Sequence, residues 1–242
     1  RGADTVVPLE RLEVQGDDVR VTAPTIAVRQ FIHARGSDGR AGAVLLSPGA
    51  RLGPAEIAVL ASAGRAALSV AAVPRVAAVS TGDELVDPGA PIEPFQIRSS
   101  NDFAIEASLR RSGLARVTRM RLKDDPESMR AAIQSLHESH DALILSGGVS
   151  AGDFDFVPGV LESLGAEIVF QGVRQRPGRP MWFGMSSARK PIFALPGNPV
   201  STLVCLTRYI APALRYSAGL PDDPLERVRL TEQVVGPAEF TY

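Results

Sequence analysis

The sequence predicts an α/β fold in which helices cover both faces of a mostly parallel sheet. From residue 73 onwards, short apolar runs alternate with helical patterns, which is typical of βαβ units. The runs RVAAVS (75–80) and DALILS (141–146) are almost entirely apolar, as expected for strands that are covered on both faces. We therefore predict a doubly wound, three-layer α/β domain over residues 73–219.

The predicted elements of this domain alternate along the chain. Further strands are predicted at ARVTRMRL (115–122), AEIVFQGV (166–173), MWFGMS (181–186) and PIFAL (191–195). Helices are predicted at 101–113, 125–139, 156–165 and 198–219. Pro126 and Pro199 lie in the first turn of their helices, and Gly113 marks a helix end, as helix boundary preferences suggest.

Shorter regions flank the α/β domain. Residues 1–40 are expected to form part of a small β domain, with a GDD turn between two strands in RLEVQGDDVRVTAP and another strand at IAVRQFIHA (26–34). Residues 41–72 are expected to form a helical linker domain, in which PAEIAVLASAG begins at Pro54 and stops at Gly64. Residues 220–242 are expected to start a C-terminal β domain, and the abrupt ends of the chain suggest a fragment.

The composition excludes several classes of function. Lys and Arg number 26 against 27 Asp and Glu, so the net charge of −1 provides no basic field for nucleic acid or an anionic membrane. The single cysteine, Cys205, excludes an internal disulfide and fits a reducing compartment, for which we expect the cytoplasm. No run approaches the roughly 20 apolar residues that span a bilayer. Any bound anion must therefore be held by local groups.

Four loops directly follow predicted strands, and ligands of open α/β sheets bind beyond the carboxyl ends of the strands. The loop SGGVSAGDFD (146–155) has paired glycines, which leave backbone N–H groups free for an anion. Asp153 and Asp155 add hard oxygen ligands beside it. An ordinary tight turn with a solvated acidic tip is the alternative reading of this loop.

The other three loops also carry polar groups. STGDEL (80–85) places Thr81, Asp83 and Glu84 at the sheet edge, although Asp83 could equally cap a turn. LPGNPVS (195–201) suits a phosphate at the start of a long helix, but helix capping alone would explain its asparagine. RQRPGRP (174–180) holds two arginines around a Pro-Gly turn, and guanidinium forks suit phosphate or molybdate.

Several other residues are expected to have structural roles. His33, His137 and His140 lack metal-ligand spacing, so we expect them to be structural or solvent-facing. Cys205 lies in an apolar helix and is expected in the core. Trp182 lies in a predicted strand, where packing is the expected role.

The motifs STGDEL, SSN (99–101), DDP (124–126), SGGVSAGDFD, RPGRP and LPGNPVS, in this order, resemble the molybdopterin molybdenumtransferase family. This family includes the MoeA type of bacteria and the E domain of gephyrin in animals. Upstream, GSDGRAG (36–42) is similar to the family's GEDI-type loop, and SPGARLGPAEIAVLASAG to its LTPAEI-type helix. The resemblance implies a three-layer molybdopterin-binding-type domain with a mostly parallel sheet, preceded by a small β/helical unit.

The resemblance also implies roles for individual residues. It assigns catalytic acids to Asp38, Glu84, Asp124 and Asp155, of which Glu84 and Asp155 would bind Mg²⁺. The substrate-binding positions that it implies are Thr81, Ser100, Asn101, Gly147, Gly148, Ser150, Arg176, Arg179, Pro196, Gly197, Asn198 and Pro199. Arg176 and Arg179 replace a KPGKP-type lysine pair, and Gly172 stands where a further lysine is common.

The function implied by the resemblance is molybdenum cofactor biosynthesis. Molybdate would be inserted into adenylylated molybdopterin with release of AMP, by a homodimer that could meet the adenylyltransferase of the same pathway. Three alternatives stay open: that adenylyltransferase itself, which typically has SGGTG where this chain has SGGVS; a non-catalytic scaffold of the same fold; and a divergent enzyme acting on another pterin or nucleotide.

Overall fold

A computed structural model describes residues 2–148, 156–163, 165–221, 229 and 231–232. The described residues divide into two compact units, on either side of the bond between Val59 and Leu60. The predicted C-terminal β segment lies almost entirely outside the described residues. The predicted domain boundaries therefore stay predictions.

The first unit contains the predicted hairpin. Strands β1 (Leu12–Gln15) and β2 (Asp18–Val21) pair antiparallel after a 3₁₀ turn at Leu9–Arg11. The predicted turn therefore lies where the sequence indicates, with Gly16 at a φ of 61°.

The strand predicted at residues 26–34 is wrong. This segment forms consecutive turns, in which Gln30 N–H donates to the Ala27 carbonyl and Ile32 N–H to the Arg29 carbonyl. Arg29 and Phe31 have φ angles of 64° and 55°, which an extended strand does not permit. The apolar alternation predicted a strand, but local turn hydrogen bonds take the backbone groups that pairing would need.

Helix α1 (Pro54–Ser62) forms where it is predicted. The Glu56 carboxylate accepts the Gly53 N–H at 2.9 Å, which satisfies one of the open donors at the helix start. Gly64, at a φ of 73°, follows the helix end, and its N–H donates to the Ala61 carbonyl.

The second unit is built on a six-stranded sheet with the order β6-β3-β7-β10-β9-β8. The strands of this unit are, in chain order, β3 (Arg75–Thr81), β4 (Leu85–Val86), β5 (Ile97–Arg98), β6 (Arg116–Leu122), β7 (Ala142–Ser146), β8 (Glu167–Gln171), β9 (Trp182–Met185) and β10 (Pro191–Leu195). Strands β6, β3, β7 and β10 are parallel, and β9 runs antiparallel to both of its neighbours. Strands β4 and β5 form a separate parallel pair.

Helices cover both faces of this sheet. They are α2 (Asn101–Ser112), α3 (Pro126–Ser139), α4 (Val157–Ser163), α5 (Pro199–Cys205) and α6 (Ala211–Ser217), with a π-helical turn at Leu206–Ile210 between the last two. Buried side chains of α2, α5 and α6 pack on one face, and those of α3 and α4 pack on the other. The predicted three-layer α/β fold is therefore confirmed. Within the described parts of the chain, no helix has the length and apolar character needed to cross a membrane.

The apolar strands supply both cores. In β3, Val76 and Ala78 face one helical layer, while Ala77 and Val79 face the other. Strand β7 repeats the pattern, with Ile144 on the first face. Because successive side chains of a strand point to opposite faces, the part of a strand that lies between two helical layers is apolar on both faces.

We expect Ile144→Ala to lower the free energy of unfolding by about 2–5 kcal/mol, because it leaves a cavity in a close-packed core. Ile144 is 0% exposed. Ile97→Ala is the matched control, since that side chain is 56% exposed and should cost far less. The measurement is urea unfolding of both variants, and equal losses would contradict this description of the core.

We also expect stability to fall as pH decreases below about 6.5, in part because of His137. Burial lowers the pKa of His137 from its ordinary value of 6.5, and the Lys190 ammonium lowers it further. The negative charge of Glu138 acts in the opposite direction. Protonation therefore favours the unfolded chain, so the contribution of neutral His137 is complete above the ordinary pKa and is lost as pH falls below it. Chemical unfolding at several pH values should give a weaker pH dependence for His137→Gln, and an unchanged dependence would contradict this.

Candidate functional site

The four predicted loops meet at one edge of the sheet. Strands β3, β6, β7 and β10 run parallel, and the double reversal through β9 returns β8 to the same direction. Their carboxyl ends therefore lie together, and the loop between β8 and β9 lies at this edge because Gln171 pairs with Trp182. The expectation of one shared edge is confirmed for the described parts of the loops.

The glycine loop after β7 leaves no room for side chains. Gly147 has a φ of 95°, and a Cβ on it would lie 2.6 Å from the Thr81 carbonyl oxygen. Gly148 has a φ of 63°, and a Cβ there would lie 2.9 Å from Cγ2 of Val157. Both positions need glycine for backbone angle and for space. The predicted residues Ser150, Asp153 and Asp155 lie outside the described residues.

Thr81 lies directly beneath this glycine loop. Its side chain is 4% exposed, and among the described residues its Oγ1 has no hydrogen-bond partner. A Cβ on either Gly147 or Gly148 would lie 3.0 Å from that oxygen. Thr81, which was predicted as a substrate-binding residue of the STGDEL loop, therefore brings a buried hydroxyl to the glycine loop.

Asn101 joins three of the predicted segments. Its Nδ2 donates to Oγ of Ser146 at 2.7 Å and to the carbonyl of Gly197 at 2.8 Å. The first turn of α2 is thereby tied to the end of β7 and to the LPGNP loop. Gly147 N–H also donates to the Leu195 carbonyl at 3.1 Å, so this N–H group is not free for an anion, contrary to the prediction from the sequence. Ser100, just before α2, is exposed at the same edge.

Asn198 caps the helix that follows the LPGNP loop. Its Oδ1 accepts the N–H groups of Val200 and Ser201 at 3.0 and 3.2 Å, and Pro199 occupies the first helical position. The Thr202 hydroxyl donates to the Pro196 carbonyl at 2.9 Å, which fixes the other end of the loop. The capping interpretation therefore holds for the asparagine side chain, and these two N–H groups are already used.

The acidic residues of the first loop meet the loop after β6. Asp83 N–H donates to Oδ2 of Asp124 at 3.4 Å, and Asp124 N–H donates to Oδ1 of Asp83 at 3.2 Å. The carboxyl group of Glu84 folds back over Gly82 and is exposed. Carboxylate oxygens are the ligands that Mg²⁺ prefers. Among the described residues, however, no three potential metal ligands come together.

The arginine loop, residues 174–180, lines a cleft of about 350 Å³ with its last six residues. Arg176 and Arg179 are exposed, whereas Gln175 and Gly178 are buried. Val173 N–H donates to the Arg179 carbonyl at 2.8 Å and Gly172 N–H to the Met181 carbonyl at 2.7 Å, which closes the base of the loop. Both guanidinium groups are thus carried by one short, hydrogen-bonded turn.

The sequence reasoning missed Asp102, a carboxylate that is 5% exposed beside Asn101. It accepts a hydrogen bond from the Ser99 hydroxyl at 2.7 Å and pairs with Nη1 of Arg119 at 3.3 Å. These contacts hold the first turn of α2, which carries Asn101, against strand β6. An Asn-Asp pair at a helix start resembles an ordinary cap, so no pattern in the sequence distinguished this residue.

In the first unit, Asp38 is an exposed carboxylate whose Oδ1 lies 2.6 Å from Nε2 of His33. In the second unit, Cys205 and Trp182 are buried in the core, as predicted. Burial raises the pKa of the Cys205 thiol to about 11, although a hydrogen bond from Gln175 acts in the opposite direction. The thiol is therefore protonated near neutral pH and is no candidate nucleophile.

Comparison with known proteins identifies both units. Residues 77–216 match the family described as a probable molybdopterin binding domain, and residues 1–64 match the MoeA N-terminal region, domains I and II. A molybdopterin molybdenumtransferase of Synechocystis sp. is 36% identical over 92% of this chain and 58% of its own length. The molybdopterin molybdenumtransferase 2 of Mycobacterium tuberculosis is 35% identical over 98% of the chain and 60% of its own length.

A solved structure agrees with these matches. The molybdopterin biosynthesis MoeA protein of Pyrococcus horikosii superimposes with a TM-score of 0.69 at 30% identity, over 89% of this chain and 53% of that one. This chain therefore spans between half and two thirds of the length of these relatives. With a MoeA N-terminal region followed by a molybdopterin binding domain, the chain belongs to the MoeA family.

Proposed function

We propose that this chain carries the catalytic domain of a molybdopterin molybdenumtransferase, which inserts molybdate into adenylylated molybdopterin and releases AMP. The observation that carries the proposal is the pair of hydrogen bonds by which Asn101 joins the end of β7 to the LPGNP loop. These bonds place a glycine loop and a polar loop side by side, at the sheet edge where the arginine and carboxylate loops also lie. Such an edge suits a substrate with several anionic groups.

The anionic parts of the substrate would be held by the arginine and glycine loops. Arg176 and Arg179 would bind phosphate or molybdate oxygens with their guanidinium forks. Gly147 and Gly148, with the Thr81 hydroxyl beneath them, would take the pterin phosphate, together with Ser100, Ser150 and the Pro196–Pro199 turn. Displacement at the phosphoryl group needs neutralised charge more than a protein nucleophile, which fits the protonated, buried Cys205.

The carboxylates would serve a different part of the reaction. Glu84 and Asp155 would hold Mg²⁺, and Asp124 would act beside them in the catalytic cleft. When bound, Mg²⁺ would neutralise charge on the pyrophosphate. The meeting of the Asp83 and Asp124 loops supports this role, because it concentrates carboxylates at the edge where the arginines also lie.

The proposal extends to assembly and location. We propose a homodimer in which Asp38 serves a cleft formed across the dimer, with the adenylyltransferase of the same pathway as a partner that delivers substrate. A cytoplasmic location belongs to the proposal because one buried cysteine suits a reducing compartment.

Incubation of the protein with adenylylated molybdopterin, molybdate and Mg²⁺ tests the activity. Folded protein that releases no AMP would overturn it.

We expect Glu84→Gln to reduce molybdate-dependent AMP release strongly while the fold is kept, because an exposed carboxylate contributes little to stability. Raising the Mg²⁺ concentration should recover part of the activity if the carboxylate is a metal ligand. Asp155→Asn should behave in the same way. Glu93→Gln, which removes an exposed carboxylate outside the proposed site, is the control. Unchanged turnover of Glu84→Gln at low Mg²⁺ would exclude the metal-binding role.

We expect the double variant Arg176→Ala/Arg179→Ala to bind adenylylated molybdopterin about two to four orders of magnitude more weakly. Charge-assisted hydrogen bonds contribute about 1.5–3 kcal/mol each. Arg110→Ala/Arg111→Ala is the matched control, because these arginines lie in the last turn of α2, at the opposite end of that helix from Asn101. The measurement is calorimetric titration beside a thermal melt. Binding within threefold of the parent would assign the anion to the glycine loop alone.

A further inference from the structure

Gln175 is a buried residue of the arginine loop, and both the oxygen and the nitrogen of its side-chain amide contact the helical segment at residues 199–217. The residue is 2% exposed. Its Oε1 accepts a hydrogen bond from the Tyr209 hydroxyl at 2.8 Å, and its Nε2 donates to Sγ of Cys205 at 3.5 Å. Gln175 directly precedes Arg176, so these contacts act on the backbone that carries the first guanidinium group.

The backbone in the middle of the arginine loop, at Gly178, lies against the side chains of Gln175 and Cys205. Gly178 has a φ of 103°, and a Cβ on it would lie 2.5 Å from Nε2 of Gln175 and 2.7 Å from Sγ of Cys205. The thiol faces the Gly178 carbonyl oxygen, with Sγ at 3.7 Å from it. Gly178 directly precedes Arg179, so the backbone beside each arginine rests on a buried polar group.

We infer that Gln175 and Tyr209 are positioning residues, which hold Arg176 and Arg179 in the arrangement that binds the anionic substrate. The inference rests on the proposed function. Arginine side chains lose rotamer freedom when they bind an anion, and a backbone that is already ordered reduces that cost. Neither Gln175 nor Tyr209 needs to touch the substrate. Gln175 and Tyr209 act by fixing the loop backbone, which determines the positions that the guanidinium groups can reach.

The helical segment also couples two of the loops at the site. It begins at Pro199, where Asn198 caps it, and Tyr209 lies in its π-helical turn. Irregular turns of this kind often occur at functional sites. One rigid segment therefore supports the LPGNP loop at its start and the arginine loop at its middle.

The test is Tyr209→Phe, with Tyr216→Phe as the matched control. The substitution removes only a hydroxyl, but it leaves the buried Gln175 carbonyl oxygen without its partner. Tyr216 is on the same helical segment and is 83% exposed. We expect Tyr209→Phe to weaken binding of adenylylated molybdopterin about five- to twentyfold and to raise KM with little change in kcat. Tyr216→Phe should bind like the parent.

A thermodynamic cycle separates positioning from general damage to the fold. In the Arg176→Ala/Arg179→Ala background, Tyr209→Phe should cause no further loss of affinity, because the groups that it positions are gone. Gln175→Met, which keeps the length of the side chain and removes both contacts, should reproduce the effect of Tyr209→Phe. A thermal melt of each variant accompanies the titrations. If either Tyr209→Phe or Gln175→Met does not fold, the other variant provides the test.

Each outcome decides the inference. The inference is overturned if Tyr209→Phe and Gln175→Met both bind within twofold of the parent. It is also overturned if Tyr209→Phe weakens binding equally in the parent and in the Arg176→Ala/Arg179→Ala background. If the arginine variant is impaired but the positioning variants are not, only this inference fails and the proposed function stands. If the arginine variant itself binds normally, the proposed anion site fails as well.

Discussion

Both faces of the main sheet are covered by helices, and this constraint decides where chemistry can occur. The middle residues of β3, β7 and β10 are enclosed on both sides, so their side chains are apolar and cannot serve a ligand. Polar groups can meet a ligand only where the strands end. Because the strands are nearly all parallel, five of these ends and the loops after them lie at one edge. The candidate site of this MoeA-family chain is therefore a consequence of how its core is built.

Close backbone approach shapes that edge as much as polar side chains do. Gly147 and Gly148 pack against Thr81, Gly178 packs against Gln175 and Cys205, and a Cβ at any of the three would require neighbours to move. Loops that are this tightly seated lose little entropy when a ligand arrives. Rigid loops between strands and helices suit recognition of phosphate and molybdate, whose oxygens have fixed geometry.

Buried polar contacts support the exposed groups from behind. Asp102, with Ser99 and Arg119, holds the helix turn that presents Asn101. Gln175, with Tyr209, supports the turn that presents the arginines. A buried polar group is costly unless its hydrogen bonds are satisfied, so each of these pairs strongly prefers one arrangement. The groups that we propose to bind the ligand are thereby held by residues that are not proposed to contact it.

The sequence by itself determined the layered fold and the loops at which function should be sought, because hydrophobic periodicity and helix-end residues are local signals. It also predicted Asn101 and the arginine pair as parts of one site, through a motif order that resembles the MoeA type. Local pattern failed at residues 26–34, where turns replaced a predicted strand. Only the tertiary structure decided which buried partners Asp102 and Gln175 find. Arg119 and Tyr209 are 17 and 34 residues away from them, and no local pattern encodes a contact made by packing of distant segments.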